Sequence, residues 1–156
     1  MTLNDFSQMA QIIIAFGTII TAFYAFITSK KTTEVFSKQL KLDFFADYTK
    51  RYQEITLNFP ENINEVNFDY NELEPQVKEK TLRYMRAYFD LCSEEYFLWK
   101  DGNIEDKVWK EWESGIKYAM SKTAFQKAWK DYIEFNTIYY KDFTSFINNI
   151  LDFLQN

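Results

Sequence analysis

The pattern of apolar residues first singles out a long uncharged segment near the N-terminus. Residues 6–29 contain no charged side chain, and they are flanked by Asp5 and by Lys30 and Lys31. A helix of this length rises about 36 Å, which is enough to cross a hydrocarbon layer of about 30 Å. The pattern therefore predicts a transmembrane helix over residues 6–29, after a short tail at residues 1–5.

A cleavable signal peptide and a buried core helix are the two alternatives for this segment. A signal peptide needs a basic N-terminal region, a short apolar core and a cleavage site between small residues. No basic side chain precedes this segment, the segment is too long, and residues 22–25 form a poor cleavage site. A core helix is the second alternative because polar side chains interrupt the segment, among them Gln8, Gln11, Thr18 and Thr21. A retained membrane anchor is the preferred interpretation.

The basic residues around the anchor predict its orientation. Four lysines follow the anchor closely: Lys30, Lys31, Lys38 and Lys41. Only Glu34 opposes them between residues 30 and 41. Because basic flanking residues stay in the cytoplasm, we expect a single-pass protein of the inner membrane, with its N-terminus outside and its C-terminal domain cytoplasmic. The lone Cys92 agrees with this, since it indicates no disulfide framework.

Small and polar positions recur inside the anchor with heptad spacing on one helical face. They are Gln11, Ala15, Thr18, Ala22, Ala25 and Ser29. Small residues let membrane helices approach closely, and Gln or Thr side chains can hydrogen-bond between them. This face predicts self-association into a homo-oligomer. The alternatives are chance spacing and a pore lined by Gln11, Thr18 and Ser29.

Helical stripes continue beyond the anchor and predict an all-α fold, in which the transmembrane helix continues as a stalk into a small cytoplasmic helical bundle. The stalk covers residues 30–59, and the bundle covers residues 76–156 and packs with residues 42–59. The stalk stripe is Val35, Leu42, Phe45, Tyr48, Tyr52, Ile55 and Phe59. The bundle stripes are Leu82, Met85, Phe89, Cys92, Tyr96 and Trp99; Val108, Trp112, Ile116 and Ala119; Phe125, Ala128, Trp129 and Tyr132; and Tyr139, Phe143, Phe146, Ile150 and Phe153.

Local signals mark the boundaries between these elements. Residues 60–75 contain five acidic side chains and no basic one, and their spacing matches no calcium-binding loop, so a solvated acidic loop is expected. Pro75 suits the first turn of the following helix, and Gly102 suits a left-handed cap at its end. Ser121 is the expected N-cap of the fourth helix.

Composition excludes most catalytic chemistry. The chain has no histidine, one cysteine and three glycines. This excludes Ser–His and Cys–His nucleophiles, the usual zinc sites and a glycine-rich phosphate loop. Neighbouring carboxylates such as Glu94 and Glu95 are expected on a solvated helix surface, and Cys92 is expected in the core. We therefore expect no enzyme activity, no catalytic residue, no metal and no cofactor.

The charge of the chain after the anchor bears on which nucleic acids and anions it could bind. From Leu42 onward there are 14 basic and 21 acidic side chains, a net charge of −7. An acidic domain disfavours a surface for duplex nucleic acid, which needs a basic stripe. A single basic pocket for a small anion is still compatible with this balance.

One basic and aromatic cluster is a candidate anion site. Its members are Lys80, Arg83, Tyr84, Arg86 and Tyr88. Guanidinium groups bind phosphate with two hydrogen bonds, and tyrosine rings stack on bases. Lys80, Arg83, Tyr84 and Arg86 are the candidate ligand contacts, in one chain or around the axis of an oligomer. The alternative is an exposed helix face that pairs with Glu79, Asp90 or the acidic loop.

Three segments carry a resemblance to known proteins. They are residues 44–52 (FFADYTKRY), 86–95 (RAYFDLCSEE) and 109–113 (WKEWE). In these segments the chain resembles an uncharacterised family of small bacterial proteins with an N-terminal membrane helix and a helical cytoplasmic domain, which implies no catalytic residues. In size and layout it is more loosely similar to the tetrameric membrane effectors of type III CRISPR antiviral defence that respond to cyclic tetra-adenylate, and no binding residue carries over.

Two functions follow as expectations. The first is a membrane-anchored oligomeric sensor or effector, plausible in antiviral defence, whose domain binds a cyclic nucleotide and perturbs or opens the membrane. The second is a membrane tether whose helical domain docks a protein partner and needs no small ligand.

Overall fold

The computed structural model describes residues 3–133 and 141–155, and most of these residues are helical. The α-helices in this part of the chain are α1 (Leu3–Thr56), α2 (Pro75–Lys100), α3 (Asp106–Met120), α4 (Thr123–Ile133) and α5 (Lys141–Gln155). A short 3-10 helix, Tyr70–Glu72, precedes α2. No strand occurs within the described ranges, so the predicted all-α fold is confirmed.

The long helix α1 carries the predicted anchor and continues without a break into the helical domain. It is long and apolar enough to cross a membrane, and its most apolar window is not buried at all. Its threonines do not need external partners, because the hydroxyls of Thr18 and Thr21 donate to the carbonyls of Ile14 and Gly17, each at 2.8 Å. The structure thus confirms an apolar N-terminal helix that leads into a helical domain.

The chain divides into two compact units, Met1–Thr49 and Lys50–Asn156. The first unit is the larger part of α1. The second unit, called the helical domain below, contains the last turns of α1 and the helices α2 to α5. It has its own hydrophobic core, in which Ile55 is the buried residue from the last turns of α1.

Helix α2 lies at the centre of the helical domain and contacts α3, α4 and α5. Four residues of its predicted stripe are buried: Met85, Phe89, Cys92 and Tyr96. Leu82 and Trp99, at the two ends of the stripe, are half-buried. The ring of Trp129 on α4 packs edge-on against Phe89 on α2, with 5.0 Å between ring centroids. The middle of the predicted stripe therefore lies in the core, and only its two end residues are less buried than predicted.

Helix α3 buries a face that is rotated from the predicted one. Ile116 and Ala119 are buried as expected, but Val108 and Trp112 are only half-buried. Trp109 and Met120 are buried with them instead. The Trp109 ring stacks on Trp99 with centroids 4.8 Å apart and planes 9° apart. This large flat contact decides which of the neighbouring positions on α3 faces the core.

Helices α4 and α5 agree with the predicted stripes at five positions. Phe125, Ala128 and Trp129 are buried, and so are Phe143 and Ile150. The side chains of Tyr132 and Tyr139 lie outside the described residues.

The prediction for Phe153 is wrong, because its side chain is 81% exposed. Ten residues separate it from Phe143, so at about 100° per residue it lies about 80° away around the helix. Ile147 and Leu151 are buried on the inner face of α5, and Phe146 is half-buried.

The segment before α2 is less solvated than its acidic composition predicts. Ile63, Phe68 and Tyr70 are buried in it. The Tyr70 hydroxyl donates to Asp131 on α4. Asp69 accepts a hydrogen bond from Lys127 Nζ at 2.9 Å, which also ties the segment to α4. Burial of three apolar side chains explains why the segment packs on the domain.

Two of the three predicted helix-end signals are found. Pro75 begins α2, and Gly102 follows its end with a φ of +76°, a conformation that favours glycine. The prediction for Ser121 is wrong: it ends α3, and its hydroxyl donates to the Tyr118 carbonyl at 2.7 Å. Helix α4 begins two residues later, at Thr123.

Candidate functional site

The predicted anion contacts lie on the surface of α2. Lys80, Arg83 and Arg86 are exposed, and Tyr84 is half-buried. The Lys80 ammonium lies 5.9 Å from the centroid of the Tyr84 ring. Arg83 and Tyr84 follow Lys80 by three and four residues, so both adjoin it, and the three side chains fall within an arc of about 100° on the helix. The structure thus places these three side chains on a common surface.

Arg83 on this surface already has an ionic partner. Its Nη2 lies 2.6 Å from Glu79 Oε1, and both side chains are more than 70% exposed. Such a pair stabilises a helix by only about 0.2–0.5 kcal/mol, because water screens it. The pairing matches the alternative interpretation of the basic cluster, yet it is weak enough for Arg83 to exchange Glu79 for a ligand anion.

Tyr88, the fifth member of the sequence cluster, is not on the α2 surface. Its side chain is buried, and its ring packs edge-on against Phe125 with centroids 5.3 Å apart. The stacking role suggested by the sequence is therefore not available to Tyr88 at that surface. It contributes instead to an aromatic wall inside the domain.

The predicted self-association face lies on α1. Gln11, Ala15, Thr18, Ala22, Ala25 and Ser29 are all exposed on this helix. The Thr18 hydroxyl donates its hydrogen bond to the carbonyl of Ile14. Toward another helix, the Thr18 oxygen can therefore act only as an acceptor. The face remains a prediction for an interface between anchors.

A cleft of about 420 Å³ opens within the helical domain, and no sequence pattern predicted it. It lies between the last turn of α1, the segment that follows, and the helices α2, α3 and α4. Its lining includes five aromatic residues, Tyr52, Phe59, Tyr88, Tyr118 and Phe125, together with aliphatic residues such as Ile63. We call this feature the aromatic cleft.

Phe125 makes edge-to-face contacts with two other rings of the aromatic cleft, Phe59 and Tyr88. Phe59 meets Phe125 with centroids 5.6 Å apart and planes at 86°. The ring centroids of Tyr52 and Tyr88 lie 6.4 Å apart, with the ring planes tilted by 56°. Edge-to-face pairs contribute about 0.5–1.5 kcal/mol each beyond burial. The wall that contains Tyr88 and Phe125 is therefore preorganised.

Gly115 gives α3 an open backbone where it borders the cleft. A Cβ atom placed on this glycine would meet no atom within 4 Å. Glycine in the middle of a helix costs up to about 1 kcal/mol relative to alanine. Open space therefore adjoins Gly115, which is one of the residues that line the cleft.

Glu95 on α2 is buried, with 7% of its surface exposed, so its expected place on a solvated surface is wrong. Burial raises the pKa of Glu95 to about 8; the Arg51 charge lowers it and the Glu94 charge raises it further. Arg51 itself binds Glu94, with 2.8 Å between Nη2 and Oε2. A signal was present in the sequence, because Glu95 follows Cys92 by three residues and lies on the apolar stripe.

Cys92 and Tyr88 are buried close to Glu95. Burial raises the pKa of the Cys92 thiol and of the Tyr88 hydroxyl well above their ordinary values. A thiol in this environment is a poor nucleophile, because the thiolate is the reactive form. In the part of the chain that the structure describes, no three Cys, Asp or Glu side chains are placed to hold a metal ion.

Comparison of the chain with protein-family models, with curated proteins and with solved structures finds no significant match. The resemblances inferred from the sequence accordingly stay predictions. The function proposed below depends on the helices, surfaces and cleft of this chain.

Proposed function

We propose that the protein is a membrane-anchored binding module. The apolar part of α1 spans the bacterial inner membrane with its N-terminus outside, and the helical domain docks a protein partner in the cytoplasm. The observation that carries this proposal is the continuity of α1, in which one helix contains a membrane-length apolar segment and Ile55 of the helical core. The small-residue face of α1 would bring several chains together.

Membrane topology provides the test of this proposal. The full chain with a C-terminal epitope tag is expected in the membrane fraction after alkaline carbonate extraction. Proteinase K is expected to remove the tag in inverted vesicles and to spare it in intact spheroplasts, because basic residues after the anchor stay inside. Lysed spheroplasts serve as the control for protease access. Recovery in the soluble fraction would exclude the anchor, and digestion in intact spheroplasts would reverse the orientation.

A ligand-gated effector is the second candidate, and the shared face of Lys80, Arg83 and Tyr84 favours it. In this version a cyclic nucleotide binds the basic surface, alone or around the axis of an oligomer. Binding perturbs or opens the membrane if the ligand prefers one arrangement of the stalk helices over another. Antiviral defence is the setting that the resemblance to the CRISPR effectors suggests.

The double variant Arg83→Ala/Arg86→Ala is expected to abolish nucleotide binding and leave the fold intact. Charge-assisted hydrogen bonds from the two guanidinium groups supply the affinity, and both side chains are exposed. The measurement is thermal stabilisation of the full chain in nonionic micelles against a panel of cyclic oligoadenylates, with linear RNA for comparison. A ligand at a hundred times its Kd stabilises by about 2.7 kcal/mol, which gives a clear shift.

Lys107→Ala/Lys110→Ala is the matched control, since it removes two exposed charges from α3 instead of α2. This variant is expected to keep the full shift. Unchanged affinity in the Arg83→Ala/Arg86→Ala protein would remove these residues from the site. Absence of a shift with every cyclic species in the wild type would leave the protein-docking module as the proposed function.

A further inference from the structure

We propose that the aromatic cleft binds a small organic cation, an ammonium compound with an apolar or aryl body. This site is separate from the basic surface of α2 and goes beyond the proposed docking function. The volume of about 420 Å³ falls within the range of small-molecule sites, which are concave and mostly apolar with a few polar groups.

The charge of the residues that line the cleft favours a positively charged ligand. Glu61 is the ionised side chain among the described residues that line the cleft, and neither lysine nor arginine is among them. Glu65, four residues further along, adds a second exposed carboxylate to the same segment. A phosphate-bearing ligand would meet the like charge of Glu61, and the lining residues offer it no lysine or arginine. A cation would meet both the carboxylate and the electron-rich ring faces.

One ring of the cleft already interacts with a cation from the chain itself. The Lys122 ammonium lies 4.3 Å from the centroid of Tyr118, a lining residue that is more than half exposed. This distance is within the range of cation–π attraction. The contact is independent of Glu61 and shows an ammonium group held against the Tyr118 ring, so a ligand cation at this ring would take the place of Lys122. Tyr52, a second tyrosine of the lining, is also about half exposed and offers another ring to a cation.

The test measures binding of benzyltrimethylammonium to the full chain in maltoside micelles by titration calorimetry. Benzyl alcohol and benzenesulfonate carry the same aryl group without charge and with negative charge. The expected result is binding of the cation that is at least about threefold tighter than binding of benzyl alcohol, with no binding of the anion. Equal binding of benzyl alcohol, or any preference for benzenesulfonate, would overturn the proposal.

Substitutions at Gly115 locate the binding site. Gly115→Ala adds one methyl group into open space and is expected to keep affinity within about twofold. Gly115→Leu places a branched side chain in the same space and is expected to abolish binding. Both substitutions replace a mid-helix glycine with a better helix former. The unfolding temperature of each variant is therefore expected to be at least that of the wild type. Undiminished binding in the Gly115→Leu protein would place the cation elsewhere.

Glu61→Gln tests the carboxylate. Because the substitution removes the negative charge and keeps the shape, we expect it to weaken cation binding about threefold or more. Glu65→Gln is the control, since Glu65 does not line the cleft, and a smaller loss is expected there. Equal losses in the two variants would mean that general acidity of the segment, and not a site at the cleft, attracts the probe.

Discussion

Phe143→Ala is expected to lower the free energy of unfolding of the helical domain by about 3–5 kcal/mol. Phe143 on α5 is fully buried, and its ring contacts Trp129 and Tyr96 with centroids 5.6 and 5.7 Å away. Removing the ring loses its transfer free energy and leaves a cavity between α2, α4 and α5. Ring contacts of this kind cannot reform around alanine.

Urea unfolding of the full chain in nonionic micelles measures this loss. All four tryptophans follow residue 98, so their fluorescence reports on the helical domain while the anchor stays in the micelle. Phe153→Ala is the matched control, the same substitution on the same helix at a side chain that is 81% exposed. It is expected to change stability by at most about 0.5 kcal/mol. Similar losses at the two positions would contradict the described packing of α5.

Glu95→Gln is expected to flatten the dependence of stability on pH. The pKa of Glu95 is raised from 4.5 to about 8 by burial. Between these values the folded domain holds a proton that the unfolded chain has released. The free energy of unfolding of the wild type therefore falls as pH rises through this interval, by several kcal/mol in all. Well above pH 8 Glu95 is ionised in both states, and it causes no further loss of stability. Glutamine is neutral throughout, so the variant is expected to be the more stable protein at pH 8.

The measurement is the urea midpoint of tryptophan fluorescence across the same pH interval. Glu94→Gln is the control, because the Glu94 side chain is nearly half exposed and ion-paired with Arg51. The control is expected to keep the fall in stability, while Glu95→Gln removes it. Parallel pH profiles in the wild type and in Glu95→Gln would show that Glu95 is ionised in the folded domain at neutral pH.

Much of the fold follows from local signals in the sequence. The length and apolarity of residues 6–29 predict a long apolar helix, and the segment lies in α1, whose most apolar window is not buried. Pro75 and Gly102 mark the two ends of α2. Proline lacks the N–H group that is not needed in the first turn, and glycine adopts the positive φ that ends a helix. The spacing of Met85, Phe89 and Cys92 follows the helical period, and these residues form the core.

The faces of α3 and α5 could be predicted only in part. Helical spacing gives a broad apolar arc, and neighbouring positions such as Val108 and Trp109 both fall near it. Packing against other helices then selects one of them, as the stack of Trp109 on Trp99 does. Phe153 shows the same limit near the end of α5. The predicted apolar stripe extends to this residue, but no neighbouring helix in the described part of the chain covers its side chain there.

The candidate sites differ in how far the sequence reveals them. Arg83 and Arg86 stand out by residue type, because the chain has only three arginines. The aromatic cleft does not, because its lining comes from residues 52–64 and from three later helices that meet only in the folded domain. Glu95 was misassigned because carboxylates are usually solvated, and its position on the apolar stripe was a weaker signal than its charge.

The burial of Cys92 has a practical consequence for spectroscopy. Its thiol is 2% exposed and its raised pKa leaves almost no thiolate at neutral pH, so maleimides and methanethiosulfonates find no reactive partner in the folded chain. Any cysteine introduced on the surface becomes the single labelling position. Spin labels and fluorophores can therefore be attached one at a time along α1 or the helical domain, without first replacing Cys92 and disturbing the core.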